Sequence, residues 1–497
     1  MMQQSPAENQ FRTWFTSLDR HIVAILVGLT LGIVGGLLGL LLVLTGPLVT
    51  LVVTVGIFSA LYVLTDTTPA LYGAMAITVL LPFGTFPYDI GITPTLLDLA
   101  LAAFVGVYIV QWITGRRQKL TLVQPHIFIA VYVMWLIFAF MLGLRYGSPT
   151  TTILRQFAET LLSMSLAFVL VDLLSNEKTL RRLVLLVLAL VGVQATIATG
   201  LYLLNDEVAN QLLNVLSRIG YPGGFVIRYI EQTPDLGERA IGTWVDPNTL
   251  GGLLASSAVM IAPQLFARRP VLKYRWLTLL VFGVVVLALL LTNSRASFLA
   301  FGVGLGMIVF LRYRRYLPLV AMAGIIFLFL PQTQSYIDRI FQAFHGEDLA
   351  TQMRIGEWTD SLTLISRYPL TGIGFTGTPT NDVYTDVANL YLIMANQIGL
   401  TGVLLFLLAM SSVFYYAWQA RPYAENDPEL DSIHLGYNLA LLTALINGVA
   451  DLYYFRLDFQ SAITWFWLLV ALALASSRLV LLRQHEQSTV EQSVQIR

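Results

Sequence analysis

Residues 275–312 decide the fold class of this chain, and they read RWLTLLVFGVVVLALLLTNSRASFLAFGVGLGMIVFLR. The stretch contains two apolar runs, 275–292 and 294–312, with Asn293 between them. A helix needs roughly 20 apolar residues to cross a bilayer, so each run is close to the length of one span. The pair therefore predicts two consecutive transmembrane helices joined by a short turn.

The rest of the chain has the same character. Of its 497 residues, 56% are hydrophobic and 12% are charged, whereas soluble domains carry about 25% charged residues. Soluble, coiled-coil and disordered classes are therefore excluded, and the absence of cysteine excludes a disulfide scaffold. A net charge of zero without a basic tail argues against a nucleic-acid partner. We predict an all-α, polytopic transmembrane helical bundle.

The remaining apolar runs bring the prediction to twelve to fourteen spans. The first apolar run of the chain, 22–45, is too long for a cleaved signal peptide, and no cleavage site follows it. Gly46-Pro47 alone separates the first two runs, so these are either two spans or one partly re-entrant hairpin. Besides the spans at 275–292 and 294–312, the candidate spans lie at 22–45, 47–65, 69–83, 95–113, 126–144, 152–174, 181–203, 243–267, 316–331, 388–417, 435–452 and 461–481.

Positive charge orients these spans. With both termini in the cytoplasm, the cytoplasmic segments hold 19 of the 29 positive residues, including all three lysines. The ten on the outer side are all arginines, whose planar guanidinium groups suit phosphate; the general scarcity of lysine is the plainer explanation. These ten are Arg145, Arg155, Arg218, Arg228, Arg239, Arg295, Arg339, Arg354, Arg367 and Arg456.

Four parts follow from this topology. Residues 1–204 are N-terminal transmembrane helices, and 205–331 combine an outer loop with helices that carry arginine motifs. Residues 332–387 form a large outer loop, and 388–497 form the last helices and a cytoplasmic tail. In the large loop, helical patterns at 335–344 and 350–366 predict a small helical cap. The second pattern places Arg354, Trp358, Leu362 and Ile365 on one face.

Two arginines stand at the outer starts of predicted helices. Asp246 and Pro247 read as the N-cap and first residue of one helix, with Arg239 just before them. Asn293 or Ser294 would cap the next such helix, with Arg295 in its first turn. Helix N-termini favour anions, so the two arginines suggest a diphosphate clamp. Snorkelling of both side chains to lipid head groups is the alternative. Within the span at 152–174, Arg155 and Glu159 predict an internal ion pair.

Several sequence blocks give the chain a family resemblance. They are Arg239–Asn248, Asn293–Ala296, and Arg354 with Trp358 leading into YPLTGIG at 368–374. A fourth runs from Asn389-Leu-Tyr391 to Gly399-Leu-Thr-Gly402. In this order the blocks resemble the O-antigen ligase/polymerase family, bacterial inner-membrane enzymes that use polyprenyl-diphosphate-linked glycans at the periplasmic face.

The resemblance implies an inverting, metal-independent glycosyltransferase of the polytopic C-type fold, without a cofactor. Its donor would be a glycan on undecaprenyl diphosphate, with the diphosphate held by Arg239 and Arg295. Polymerisation of O-antigen or exopolysaccharide repeat units is the expected reaction, with the bilayer and a chain-length regulator as further partners. Transfer to lipid A-core by an O-antigen ligase is the first alternative.

One departure from the family pattern bears on this choice. Ligases of the family typically carry His-Asn, nine residues and Gly-x-x-Gly, whereas this chain has Ala388-Asn389 before Gly399-Leu-Thr-Gly402. The missing histidine is the proposed base, so its absence favours a polymerase. Asp386 is the predicted replacement, with Glu357 and His345 as further candidates. Substrate-binding roles are predicted for Arg354, Trp358, Asn389 and Tyr391.

Two other classes of function share the same hydropathy. A lipid-linked oligosaccharide flippase or transporter would place charge near the bilayer midplane and show repeated halves. The charge here gathers on the outer side, and no repeat is evident. A non-catalytic assembly protein would need neither outer arginine.

Replacing Arg295 with alanine should abolish polymer formation while leaving the amount of protein in the membrane unchanged, because the substitution removes a charge that holds the diphosphate. Polymer length on gels and immunoblots of membranes measure the two effects. Normal chain length in this variant would end the clamp hypothesis.

Overall fold

A computed structural model describes residues 67–85, 93–117, 120–318, 349–377 and 383–495, together with the isolated residues 36, 322 and 325. These residues are mostly helical and confirm the predicted all-α, polytopic class. Strand structure in the described ranges is confined to a hairpin of β1 (Arg228–Tyr229) and β2 (Glu238–Arg239) and to one isolated bridge.

Thirteen α-helices lie in the described ranges. They are α1 (Thr67–Leu80), α2 (Leu96–Ile113), α3 (Pro125–Gly143), α4 (Thr151–Leu173), α5 (Glu177–Leu203), α6 (Asp206–Val215), α7 (Pro247–Phe266), α8 (Arg275–Leu291), α9 (Arg295–Arg312), α10 (Leu349–Arg367), α11 (Leu390–Ala424), α12 (Asp431–Asn447) and α13 (Gln460–Gln495).

Eight of the described helices are long and apolar enough to cross a membrane: α2, α3, α4, α5, α7, α9, α11 and α13. Helices α1 and α8 are shorter apolar helices. Each of these ten, and α12, coincides with a predicted span. The predicted spans at 22–45 and 47–65, almost all of the span at 316–331, and the predicted cap helix at 335–344 lie outside the described residues.

The chain divides into two compact units. The first comprises residues 1–71 and 103–120, and its described part includes Arg117 stacked 5.4 Å above the ring of Tyr108. The second comprises residues 72–102 and 121–497. All contacts described below lie within this second unit.

Helices α7 and α13 form the centre of the second unit. In the most apolar window of each, 89% and 83% of the residues are buried. Helix α7 packs against α8, α9 and α12, and α13 packs against α4, α11 and α12. Two pairs of polar side chains inside this core are hydrogen-bonded to each other, which offsets the cost of their burial: Trp465 Nε1 donates to Ser256 Oγ (2.9 Å), and Ser163 Oγ lies 2.7 Å from Thr464 Oγ1.

Ion pairs form at the helix ends. The predicted pair of Arg155 and Glu159 is present (3.3 Å), and Arg155 also contacts Asp98 (2.5 Å). At the end of the bundle formed by the C-termini of α7 and α9, Arg312 lies 3.0 Å from both Glu425 and Asp431. Arg483 there contacts Glu177, Asp427 and Glu429.

A break in α11 explains the YPLTGIG and Gly-Leu-Thr-Gly blocks. Gly399 has φ of 71°, which interrupts the helix and leaves nearby carbonyl groups without intrahelical partners. The loop after α10 supplies donors for them: Ile373 N and Gly374 N donate to the carbonyls of residues 396 and 397 (2.9 and 2.8 Å). Leu400 N donates in turn to the carbonyl of residue 369 (2.8 Å). The two blocks therefore form one interlocked structure.

Replacing Gly374 with alanine should destabilise the protein by about 2 kcal/mol or more, because φ there is +79°. A Cβ would also meet Gly143 Cα, and it would lie 3.0 Å from the carbonyl oxygen of Ala139. Gly356→Ala is the matched control, since Gly356 is helical with open space around it and should gain up to ~1 kcal/mol. Thermal unfolding of the purified protein measures both. Equal melting temperatures for the two variants would contradict the interlocked arrangement.

Candidate functional site

Arg239 connects the ends of three helices. Leucine 291, the last residue of α8, accepts a hydrogen bond at its carbonyl from Ala240 N (2.8 Å). Arg239 Nε then donates to the carbonyl of Thr292 (2.9 Å), and its Nη2 donates to Asn248 Oδ1 (2.7 Å) and to the carbonyl of Asn293 (3.5 Å). The guanidinium group therefore lies at the C-terminus of α8, where carbonyl groups need donors, beside the starts of α7 and α9.

The start of α7 follows the sequence prediction. Asp246 is the N-cap, and its Oδ1 accepts from Asn248 N and Thr249 N (2.9 and 2.8 Å), while Pro247 is the first helical residue. The preceding residue, Val245, has φ of 59°. A β-branched residue in this region stores roughly 1–3 kcal/mol of strain, which the surrounding packing must hold.

The backbone just before α9 also contains a residue with positive φ. Asn293 has φ of 51°, and its Nδ2 donates to the carbonyl of Glu238 (3.3 Å). Ser294 is the N-cap residue but makes no side-chain capping bond, because its hydroxyl lies 2.9 Å from that of Ser297. Arg295 is the first residue of α9 and is exposed. The backbone N–H groups of this turn and the two arginine motifs therefore share one end of the bundle.

Two glycines on α7 permit the close packing beneath this site. A Cβ on Gly251 would lie 2.6 Å from Ser297 Oγ, and a Cβ on Gly252 would lie 2.8 Å from Asn447 Nδ2. Asn447 in turn contacts Ser297 (3.4 Å) and the Tyr453 hydroxyl. The start of α9 and the loop between α12 and α13 are thus held against α7.

Asp451, in that loop, is buried beside the arginines. Burial and the nearby charge of Asp246 raise the pKa of Asp451 to about 8, whereas Arg354 and Arg239 act in the opposite direction. Arg354 of α10 therefore lies within electrostatic range of the same aspartate as Arg239. Near pH 7 Asp451 is largely protonated, which leaves the positive charge of the arginines less compensated.

The structure brings three of the predicted site residues to this place. Arg239 bonds to the backbone of residues 292 and 293, which are close to Arg295 in the chain, and Arg354 and Arg239 both act electrostatically on Asp451. We call Arg239, Arg295, Arg354, Asp246 and Asp451 the arginine site. Its two aspartates and three arginines give it a net positive charge, which is suited to an anionic ligand.

Asp386, the predicted base, lies in an ion-pair group. Its Oδ2 is 3.3 Å from Arg456 Nη2, and Arg456 also contacts Asp458 (2.9 Å). Glu357 occupies the position next to the missing histidine, since its Oε2 accepts from Ala388 N (3.2 Å). The third candidate, His345, lies outside the described residues.

Asn389 and Tyr391 stabilise the helix ends around the site. Asn389 caps α11 by accepting from the backbone N–H groups of residues 391 and 392, and its Nδ2 donates to the carbonyl of Val449 (2.7 Å). The Tyr391 hydroxyl donates to the carbonyl of Leu445 (2.9 Å). These contacts fix α11 against the end of α12, and direct binding of sugar by either side chain stays a prediction.

Helix α10 confirms the predicted cap helix at 350–366, but its predicted stripe is not its packed face. Ser361 and Leu364 are buried, and Ser361 Oγ donates to Asn396 Oδ1 (2.8 Å). Trp358 and Leu362 are 45% and 60% exposed. The i, i+4 pattern identified the helix, whereas the face that packs is the one that carries Ser361 and Leu364.

The sequence reasoning missed Asn248 and Asp451. Asn248 follows the predicted Asp-Pro cap. Asp451 lies just before Tyr453-Tyr454, and these aromatic residues dominate the sequence pattern there. An aspartate at the end of an apolar span was the available signal. In the described ranges, no group of three or more histidine, aspartate or glutamate side chains is arranged to hold a metal ion.

The comparisons with known proteins bear on this same region. Residues 277–407 match the family model described as O-antigen ligase. This match supports the resemblance of the chain to the O-antigen ligase/polymerase family. The matched segment begins in α8 and ends in α11, so it includes Arg295, Arg354 and the interlocked glycine motifs, and it leaves out Arg239. A search of curated proteins found no match.

This family match, together with the apolar helices, supports a multi-pass membrane protein. It supports a glycan-transferring role in O-antigen assembly.

Binding of a dialkyl diphosphate should weaken about tenfold as the pH rises from 7 to 9. Such a ligand stays fully ionised over this range, whereas Asp451 loses its proton near pH 8 and then opposes the bound anion. Titrations by microscale thermophoresis measure the affinity. In Asp451→Asn this dependence should be largely lost, and a remainder near pH 7 would belong to Glu238, whose pKa is raised to about 7 by burial and by Asp206. An unchanged profile in Asp451→Asn would remove Asp451 from the site.

Proposed function

We propose that this protein polymerises O-antigen or exopolysaccharide repeat units by moving a glycan from undecaprenyl diphosphate to a sugar hydroxyl on another lipid-linked unit. The observation that carries the proposal is the contact of Arg239 with residues 292 and 293, which lie three and two residues before Arg295. It supports a single anion site built from both arginine motifs. The family match supports the glycan-transferring class of reaction.

Arg239 and Arg295 would hold the diphosphate, and Arg354 would assist from α10. When the bond between the anomeric carbon and the phosphate oxygen breaks, negative charge develops on the leaving diphosphate. Guanidinium groups fixed in advance stabilise that charge without reorganising, which is often the largest contribution to catalysis. The hydrogen bonds of Arg239 to two carbonyls and to Asn248 provide such a fixed position.

Asp451 would adjust the field of these arginines. Its neutral form keeps them available for the diphosphate, while a buried carboxylate would compete for them. Asp451 is therefore a positioning residue in this proposal, since it acts through Arg239 and Arg354.

Asp386 would accept the proton of the attacking hydroxyl. It lies two residues before Ala388, the position of the family histidine, and Arg456 orients its carboxylate. A base of this kind contributes typically ~10²–10⁴-fold in rate. Glu357 bonds to the backbone of Ala388, so in this proposal it shapes the loop beside the acceptor. Trp358, exposed on α10, would stack on sugar, with Asn389 and Tyr391 at the rim.

An O-antigen ligase is the second candidate, because the matched family model carries that description. A ligase would transfer the same donor to lipid A-core instead of to a second lipid-linked unit. Ala388, which replaces the family histidine, favours the polymerase. In either case we place the protein in the bacterial inner membrane with the arginine site facing the periplasm, and a regulator of chain length is a further proposed partner.

Purified protein in nanodiscs, supplied with lipid-linked repeat units, should form polymer, and lipid A-core should not be consumed. Consumption of lipid A-core instead would establish the ligase. With both acceptors present and no transfer observed, movement of lipid across vesicles would favour the transporter alternative.

Arg239→Gln should lower the polymerisation rate by about 10²-fold or more, because a donor aimed at the developing charge is lost. Arg218→Gln is the matched control: Arg218 is an exposed arginine of the same outer segment, and its substitution removes the same charge. Initial rates at saturating donor measure the effect. A similar rate for both variants would show that the charge of the outer surface, and not the position of Arg239, matters.

A further inference from the structure

A second arginine-rich pocket lies at the opposite end of the bundle. It has a volume of about 520 Å³ and is formed where α7 and α9 end and α12 begins. Its lining contains four arginines, two aromatic residues and one acid: Arg268, Arg312, Arg314, Arg315, Phe266, Tyr313 and Asp431. The N-termini of α7 and α9 are at the arginine site, so this pocket is separated from that site by the length of these helices.

The charges in this pocket are not balanced. Arg312 is neutralised by Glu425 and Asp431, each 3.0 Å away. Arg314 donates to the carbonyl of Phe310 (2.9 Å), and Arg315 stacks 4.8 Å above the ring of Tyr316. Across the part of the chain that the structure describes, Arg314 and Arg315 make no ion pair. Arg268 is exposed and has neither an ion pair nor a hydrogen bond there. Three guanidinium groups are thus available to an anion.

Aromatic rings beside the pocket favour a position at the depth of lipid head groups. Phe266 packs against Tyr313 and Tyr316, with ring centroids 5.0 and 5.7 Å apart. Tyrosine rings are typical of the interface between bilayer and water. Basic pockets between helices at that depth suit acidic lipid head groups.

The neighbouring helix surface offers a path for acyl chains. In the apolar window of α9 only 28% of the residues are buried. Leu299, Val303 and Phe310 are 67%, 42% and 50% exposed along it. A phosphate held by the arginines would therefore have an apolar surface beside it, which a lipid can cover and a free phosphate cannot.

We propose that this pocket binds the phosphate head group of an anionic phospholipid in the leaflet opposite the arginine site. Arg268 and Arg315 donate to the phosphate oxygens, in the forked geometry that guanidinium groups offer. Arg312 keeps Asp431 from opposing the phosphate, since it pairs with that carboxylate. The bound lipid connects the ends of α7, α9 and α12.

The test measures lipid binding to the purified, delipidated full chain by native mass spectrometry. Phosphatidylglycerol and phosphatidylcholine with identical acyl chains are compared, and inorganic phosphate is supplied in a separate arm. The wild-type protein should retain phosphatidylglycerol at least fivefold better than phosphatidylcholine. The double variant Arg268→Gln/Arg315→Gln should lose most of this preference, whereas Arg116→Gln, an exposed arginine of another predicted cytoplasmic loop, should keep it.

Three results would overturn the proposal. Equal retention of the two lipids by the wild-type protein would exclude a site that selects an anionic head group, and this comparison does not depend on how well any variant folds. An equal loss of the lipid preference in Arg116→Gln would show that general surface charge, and not this pocket, attracts the lipid. Retention of inorganic phosphate equal to that of phosphatidylglycerol would show a site for free anions. Restoration of the preference in Arg268→Lys/Arg315→Lys would support the proposal, because this double variant keeps the positive charge of the pocket.

Discussion

The hydrogen bonds from Arg239 to the end of α8 are the constraint on which the arginine site depends. A helix that stops in a membrane protein leaves carbonyl groups that must find donors. Here the carbonyls of residues 291, 292 and 293 receive Ala240 N and the Arg239 side chain. The same bonds fix a guanidinium group beside the first turn of α9, where Arg295 begins the helix. The same hydrogen bonds therefore satisfy the backbone carbonyl groups and fix the position of a positive charge.

Electrostatic balance follows from this arrangement. Asp246 is committed to the backbone N–H groups of α7, and Asp451 is buried next to it with a raised pKa. Burial, together with the nearby charge of Asp246, raises the pKa of Asp451, so a proton stays on it at neutral pH. The arginines are consequently less neutralised than their number of acidic neighbours would suggest. This excess of positive charge is what a diphosphate requires, and it depends on burial as much as on composition.

Much of this could be predicted from sequence because it depends on local pattern. Apolar runs predicted the spans, and Asp246-Pro247 predicted the start of α7, since capping involves neighbouring residues. The partners of Asp451 and the exposed position of Trp358 depend on contacts between distant segments. The break at Gly399 is an intermediate case: the glycine was visible, but its purpose appears only with the loop at 369–374, which fills the gap in the helix.

The central claim is that Arg239 and Arg295 bind one diphosphate, and a structure of the protein with an unreactive donor analogue tests it most directly. The analogue is a lipid-linked sugar in which a methylene group replaces the oxygen between the anomeric carbon and the diphosphate. Electron cryo-microscopy of this complex should show the diphosphate within hydrogen-bonding distance of both guanidinium groups, at the start of α9. Density for the diphosphate at any place that leaves either arginine without a contact to it would contradict the account.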